Sequence, residues 1–507
     1  MSESTATPVP DEGQILAERR TKLKVWRKKG GAFPNSFFRS NLAGDLHFKY
    51  EDSGRDHLDL NPVVVKIAGR LMLKRPMGKA TVGAVQDMSG YIILYLTDYY
   101  PGSAQHIEFK EYDIGDIIGI EGVLFKSQAQ ELMVRVKRVI LLTKALRPIP
   151  VRQAEPNIQE LPRRERIVEL ITNEDMRLRF VLRSRIIQAM RAFFVKRKYL
   201  EVETPFLNRL TATTQPNLFL THHNATGMEV RLCGARDQYL NRLLVGGLEQ
   251  VFEINRDFRN DSRPSPHNPE FTTFTFCTAY RNHYYVMQVI EKLIREVTRT
   301  TLGTSKICTP TRDIDFDQPY GLHTIGSAIL QYFPDIDEES IFNRDVLIAK
   351  LKAHSATFRI QDGIGALQFE LFRKTIISQL ADPTFVFHFP VEFTPFARRS
   401  EKDSNYTEYF SLYLGGIEIA SGFSTLNDSE DQAMRFWEEL SSTEDNHGVE
   451  TAPWDSDYVR ALEHGLPPAA TATIAVDRLV MFLTDTPTPR ETILFPHPEA
   501  RRVPANG

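Results

Sequence analysis

The run Phe252-Glu253-Ile254-Asn255-Arg256-Asp257-Phe258-Arg259-Asn260-Asp261 alternates apolar and polar side chains and leads into a cation. After a short polar loop comes His267-Asn268-Pro269-Glu270-Phe271. Alternation with a period of two marks a strand with one buried face. A strand, a polar loop and a returning apolar run commit the chain to an antiparallel pair. The basic and hydrogen-bonding groups collect at its turn end. That arrangement suits a nucleotide triphosphate, with Arg259 on a phosphate and Phe271 flat against the base.

Upstream, the pattern is that of a small all-β module. Val63–Gly69, Ala80–Gln86, Tyr91–Leu96, Ile107–Tyr112, Ile117–Phe125 and Glu131–Leu142 read as short strands, punctuated by Gly69, Gly90, Gly119 and Gly122. Asp87-Met88-Ser89-Gly90 reads as a tight turn. Such a series predicts a small barrel. Ahead of it, residues 1–15 are expected to be disordered. Residues 16–30 form a basic helix carrying Arg19, Arg20, Lys22, Lys24, Arg27, Lys28 and Lys29, stopped by Gly30-Gly31. Its cations are either a solvated face or a contact to nucleic-acid phosphates.

After a proline-bearing linker from Ala145 to Arg164 the period changes. Met176–Lys198 reads as an amphipathic helix with Phe180, Leu182, Ile186, Ile187, Met190, Phe193 and Phe194 on its apolar face. Tyr199–Pro205 alternates like a strand. Tyr285–Thr300 is helical, residues 318–385 form a more helical insert, and Tyr409–Ile419 is a strand pair followed later by Thr473–Leu483. The implied domains are residues 1–60, 61–150 and 151–507.

Composition excludes several classes. The chain has 507 residues, 25% charged and 10% aromatic, with net charge -3, which is ordinary for a globular protein with a large core. A near-neutral total leaves local basic patches free to bind nucleic acid. Three cysteines without metal-ligand spacing argue against a disulfide scaffold and fit a reducing cytoplasm. No segment reads as a signal peptide or a membrane span.

Three ordered segments carry a resemblance. Residues 191–205 (Arg-Ala-Phe-Phe-Val-Lys-Arg-Lys-Tyr-Leu-Glu-Val-Glu-Thr-Pro), residues 252–271 and Ala475-Val476-Asp477-Arg478-Leu479-Val480-Met481 are similar to the three motifs of class II aminoacyl-tRNA synthetases. With Leu141–Pro148 and Ala461–Pro468, the chain most resembles the bacterial lysyl-tRNA synthetase branch. The resemblance implies an α+β fold: an OB-fold anticodon-binding barrel, then an antiparallel sheet flanked by helices. It implies a homodimer, with the first motif at its interface, and tRNA bound through barrel and basic helix. ATP would lie bent, held by Arg259, Asp261, His267, Phe271, Glu418 and Arg478. Arg259, His267 and Arg478 would be catalytic. No general base is needed, because a carboxylate already is the nucleophile on the α-phosphorus; fixed cations stabilise the growing charge.

The same resemblance locates departures. A glutamate is expected at Ser411, beside the retained Glu418; the pair would hold Mg2+, and a hydroxyl is a weak ligand for a hard cation. The lysine side-chain pocket would need two glutamates and a tyrosine where this chain has Thr275, Thr425 and Cys277. An ammonium left there without a carboxylate loses about 2–5 kcal/mol. Asp237 is a shortened acid for the substrate α-amine, Ser421 replaces an asparagine, and Asn427 and Asp428 are unchanged. Arg236 replaces a proline, through drift or function. Glycines give way to Ala212-Thr213 and to Thr471-Ala472-Thr473-Ile474-Ala475, where side chains take room that a ligand would use. Three functions remain open: an adenylating enzyme for an amino acid other than lysine, with possible transfer to tRNA; a genuine lysine–tRNA ligase; or a non-catalytic tRNA-binding or regulatory paralogue.

Overall fold

The computed structural model describes residues 12–31, 33–97, 103–150, 166–209, 218–234, 237–261, 268–309, 312–359, 362–442 and 455–497. Contacts divide the chain into two units, Met1–Thr172 and Asn173–Gly507.

In the first unit, β1 (Val64–Met77), β2 (Ala80–Gln86), β3 (Tyr91–Thr97), β4 (Ile117–Lys126) and β5 (Leu132–Thr143) close into a barrel in the order β1-β2-β3-β5-β4. Val65, Ile67, Leu71, Ile92, Leu94, Ile118, Ile120 and Val134 fill its interior. Two glycines permit the close strand crossings: a Cβ on Gly69 would meet Gln86 O at 2.3 Å, and one on Gly122 would meet Arg135 O at 2.5 Å.

Ile107–Tyr112 is not a strand. Ser103–Lys110 is a helix, and the buried residues are His106, Phe109 and Tyr112, spaced by three. The buried histidine bonds Thr81 Oγ1 through Nε2 at 2.7 Å. Ile107 is exposed.

The basic helix runs Glu12–Lys28, starting inside the stretch expected to be disordered. Leu23 and Trp26 are buried, and Trp26 meets Tyr112 edge-on at 5.6 Å. Two of its cations turn inward. Arg19 donates to the carbonyls of Ala145 (3.0 Å), Arg147 (3.2 Å) and Ile114 (3.1 Å). Lys22 pairs with Asp113 at 2.9 Å. Lys144, also buried, bonds both Asp113 and Asp116, the latter at 2.9 Å. Asp116 Oδ1 also accepts from Ala145 N at 2.8 Å. Arg20, Lys24, Arg27, Lys28 and Lys29 remain exposed.

The second unit contains β6 (Leu200–Glu201), β7 (Leu207–Arg209), β8 (Leu220–His223), β9 (Met228–Leu232), β10 (Gln250–Phe258), β11 (Glu270–Ala279), β12 (Lys306–Thr309), β13 (Arg312–Asp315), β14 (Gly321–Thr324), β15 (Thr384–Pro390), β16 (Tyr406–Leu414), β17 (Ile417–Ser424) and β18 (Ala469–Ala475). Eight form one sheet, β14-β15-β16-β17-β18-β11-β10-β6, antiparallel except at its two outer pairs.

Side-chain alternation gives this sheet two unlike faces. Phe252, Ile254, Phe274, Phe276, Ile474, Phe410 and Leu412 join the main core. The helices Glu174–Lys196 and His283–Leu302 supply its other half, the first capped by Asn173, the second by Asn282 and stopped by left-handed Gly303. Phe194 is central: its ring lies 4.7–5.5 Å from those of Phe193, Tyr199, Phe252, Phe274 and Phe276. The strand expected over Tyr199–Pro205 shrinks to β6. Thr204 instead turns its N–H and hydroxyl onto the Glu253 carboxylate, both at 2.8 Å. Residues 318–385 include the helices Ile325–Tyr332, Arg344–Ala353 and Ile364–Leu371, which share a core with β15 and β16 residues.

Candidate active site

The face of the sheet opposite the main core carries the polar residues. Strand register puts Glu253, Thr275, Thr473, Ser421 and Ser411 in one row across five strands. The next row is Val251, Cys277, Thr471, Phe423 and Tyr409. The helices Asp237–Val245 and Ser456–Glu463 cover one end through Leu240, Leu244, Tyr458 and Leu462, which cluster with Val251 and Cys277.

One end of this face collects cations and an aromatic ring. Arg259 is exposed at the tip of β10, its guanidinium 5.9 Å from the Phe271 ring centroid. The hairpin is pinned there by Arg259 N donating to Pro269 O at 2.8 Å. Asn268 ties the turn down by donating to Glu270 O (2.7 Å) and accepting from His497 N (2.9 Å). Asp261 is exposed nearby, and His267 lies outside the described residues. Arg478 sits on the first turn of the helix Val476–Leu483 and donates to Glu418 O at 2.9 Å. Its neighbour Asp477 fixes that turn: it accepts from Thr272 N at 2.9 Å and pairs with Arg183 at 2.6 Å.

Glu418 lies where these cations converge. Burial pushes its carboxyl above the ordinary glutamate value, while the charges of Arg478 and Arg259 and a hydrogen bond from Ser411 pull the other way. Ser411 Oγ donates to Glu418 Oε1 at 3.3 Å. Among the described residues no three His, Cys, Asp or Glu side chains gather as a metal-binding set. One carboxylate and one hydroxyl fit a Mg2+ held chiefly by nucleotide phosphates and water.

Three other predicted residues, Thr275, Cys277 and Thr425, are buried in one cluster of hydroxyls and a thiol. Thr275 Oγ1 lies 3.0 Å from Thr473 Oγ1. Cys277 Sγ lies 3.1 Å from Thr471 Oγ1, and Thr425 Oγ1 lies 3.2 Å from the same atom. Thr471 also donates to Asn241 Oδ1 at 3.3 Å, and Asn241 donates to the Tyr458 hydroxyl at 3.1 Å. Asp237 opens the helix Asp237–Val245. Burial foremost raises the pKa of the Cys277 thiol and of the Tyr458 and Tyr409 hydroxyls; the charge of Asp237 adds to all three, and that of Glu418 adds more at Tyr409. Ser421 is half-buried between Ser411 and Thr473. Asn427 reaches Leu466 O at 3.5 Å, and Asp428 accepts from Glu430 N and Asp431 N, which makes it a helix-entry residue. Arg236, Ala212 and Thr213 fall outside the described residues.

Sequence reasoning noted that Thr471 and Thr473 take the place of glycine but missed that they bond Cys277, Thr425 and Thr275. It missed Asn241 and Tyr458 altogether. Aligning the alternation of β11 with that of β18 would have paired the first set. Nothing local marks Asn241, which arrives from a helix.

Residues 158–499 match the family described as tRNA synthetases class II (D, K and N), and residues 65–142 match the OB-fold nucleic acid binding domain. The chain is similar to the lysine--tRNA ligase of Nitrosomonas europaea, 47% identical over 96% of this chain and 97% of that protein. It is 45% identical to that of Thiobacillus denitrificans, over 98% and 99%, and 44% to that of Neisseria meningitidis serogroup B, over 96% and 97%.

Proposed function

Given that the chain belongs to the class II tRNA synthetases of the D, K and N group, we propose that it activates an amino acid other than lysine as an aminoacyl adenylate and passes it to tRNA. The chain is lysyl-tRNA synthetase-like over nearly its whole length, and class II lysyl-tRNA synthetases use ATP and Mg2+. The substrate carboxylate attacks the α-phosphorus of ATP, a P–O bond to pyrophosphate breaks, and a mixed anhydride forms. Arg259 takes charge developing at the α-phosphate, Phe271 and Arg478 sandwich the base, and Glu418, with Ser411 as a weaker neighbour, would hold a Mg2+ that neutralises phosphate charge. His267 is assigned to the terminal phosphates.

The observation that carries the changed substrate is the floor made by Thr275, Cys277 and Thr425. It holds hydroxyls and a thiol bonded to one another. A lysine ammonium there would lose its water, and the carboxylate nearest in register, Glu253 opposite Thr275, is already engaged by Thr204 and Asn255. Asp237, Ser421 and Asn427 are left to hold the α-amine and carboxylate end. The test is amino-acid-dependent exchange of pyrophosphate into ATP across a substrate panel, followed by charging of bulk tRNA. Preference for lysine would overturn the changed specificity. The identity to lysine--tRNA ligases favours that second outcome, a lysine–tRNA ligase with an unusual pocket.

For tRNA, support comes from the barrel, the outward cations Arg20, Lys24, Arg27 and Lys28 of the helix Glu12–Lys28 with Lys29 just beyond it, and the exposed rings of Phe38 and Phe48. For a homodimer, it comes from Leu178, Val181, Val195, Leu200 and Leu207, large apolar side chains exposed around the first motif. Three free thiols fit a cytoplasmic setting, and among the described residues no helix is long and apolar enough to cross a membrane.

A further inference from the structure

We infer that Thr471 and Thr473 close the amino-acid pocket and restrict it to a short, uncharged side chain. The inference rests on the adenylation proposed above and deepens it by naming the substrate class. β18 runs through the middle of the site face, between β17 and β11, so its outward side chains stand at the centre of the floor. Those side chains are Thr471 and Thr473, both β-branched and so held to few rotamers.

The hydrogen-bonding capacity of Thr471 is spent. A hydroxyl has one proton to donate and two lone pairs to accept with. Thr471 Oγ1 donates to Asn241 Oδ1 (3.3 Å) and has Cys277 Sγ (3.1 Å) and Thr425 Oγ1 (3.2 Å) as its other neighbours. That saturates it. Asn241 spends its amide N–H on Tyr458. Thr473 is engaged by Thr275 at 3.0 Å. A second ammonium at the end of a four-carbon chain would displace these contacts and meet no carboxylate among these residues. An α-ammonium at the rim has Asp237, whose charge reaches Cys277, Tyr409 and Tyr458. The floor therefore accepts a few carbon atoms, or one hydroxyl, and stops.

Pyrophosphate exchange tests this on the full chain with alanine, serine, threonine, valine, leucine, methionine and lysine. The expected result is kcat/KM for the best short neutral amino acid exceeding that for lysine by at least about tenfold. The Thr471→Ser/Thr473→Ser pair keeps both hydroxyls and removes two methyls. It should raise kcat/KM for leucine or methionine relative to alanine by about tenfold, and the Thr471→Gly/Thr473→Gly pair should raise it further. If the glycine pair does not fold, the serine pair decides. Folded variants with unchanged selectivity overturn the inference, as does wild-type preference for lysine. If no amino acid supports exchange, the adenylation proposal fails by itself, and calorimetric binding of alanine and lysine judges the pocket. Tighter alanine binding, relaxed in the serine pair, upholds it; equal binding, tighter lysine binding or no binding of either overturns it.

Discussion

Ser411 Oγ donates to Glu418 Oε1 across 3.3 Å, on the strand pair where the resemblance expects two carboxylates. The hydroxyl occupies a lone pair of the surviving acid and adds no charge. In Ser411→Glu a second carboxylate would sit beside one whose ionisation burial already opposes. Without metal the two acids repel, and stability should fall by about 1–3 kcal/mol at neutral pH. With Mg2+ and ATP the pair becomes a better ligand set. The expected signature is a rise of Tm on adding Mg2+ and ATP that exceeds the wild-type rise, with a lower Mg2+ requirement for exchange. Equal Mg2+ dependence in both proteins would refute the ligand assignment.

Arg259 is exposed and touches Phe271 only loosely, so its removal leaves the fold unharmed. Arg259→Ala should leave Tm within about a degree, since surface changes are worth at most about 0.5 kcal/mol. Exchange should drop by about a hundredfold or more, the scale for losing a fixed cation at a developing oxyanion. Exchange at the wild-type rate would remove Arg259 from the chemistry.

In the barrel unit, Lys144 bridges Asp113 and Asp116 from a buried position, and Asp116 is itself fully buried. Taking away one partner of such a set leaves charge without compensation. Lys144→Met should cost about 3–5 kcal/mol. Hydrogen exchange by mass spectrometry should show faster exchange in β1, β4 and β5 and no change in β10 or β11. Uniform acceleration across both units would contradict a local role.

How far the sequence carries depends on what kind of signal each residue leaves. Val251–Phe258 and Phe271–Ala279 were legible because one face of each strand is core and the alternation is regular. Ile107–Tyr112 misled because the buried residue just before it, His106, is polar and hides the spacing of three that makes the stretch helical. Arg19 and Lys22 read as part of a uniform basic face, yet their partners, the carbonyls near Ala145 and the Asp113 carboxylate, lie far along the chain. The site face was half legible: the uncharged residue types at 275, 277 and 425 stand in the sequence itself. That Thr471 and Thr473 of β18 lie against Cys277, Thr425 and Thr275 is a property of cross-strand register, which no single segment encodes.

Glu408 offers a test of pH linkage outside the nucleotide end. Burial, the largest single influence, would raise its carboxyl, but hydrogen bonds from His283 and Ser424 together with the charges of His283 and Arg398 outweigh that and bring it below its ordinary value of 4.5. His283 Nδ1 approaches Glu408 Oε2 at 3.4 Å and Ser424 Oγ at 3.1 Å. A depressed carboxyl contributes stability that is complete above the unfolded value and is lost as pH falls through the folded one. Glu408→Gln should therefore cost about 1–3 kcal/mol at pH 7. The gap to wild type should narrow below pH 4.5, followed by denaturant midpoints. A gap that persists undiminished there would mean packing, not charge, holds this cluster.

Glu418 should behave with the opposite sign. Its folded carboxyl lies above its ordinary value because burial, the largest influence, outweighs Arg478, Ser411 and Arg259. A raised carboxyl favours the folded state most when protonated, so its ionisation costs stability as pH rises from about 4.5 through the folded value. Glu418→Gln removes that cost. The ligand-free variant should be more stable than wild type at pH 7.5 and indistinguishable from it below pH 4.5, by thermal unfolding across pH. Exchange should nonetheless collapse, because the neutral amide is a poor Mg2+ ligand, and added ATP with Mg2+ should stabilise wild type but not the variant. A residue that weakens the empty protein yet is needed when nucleotide arrives is the expected mark of a site shaped for its ligand. A Glu418→Gln protein less stable than wild type at pH 7.5 would show that the bond from Ser411 and the nearby cations already outweigh burial.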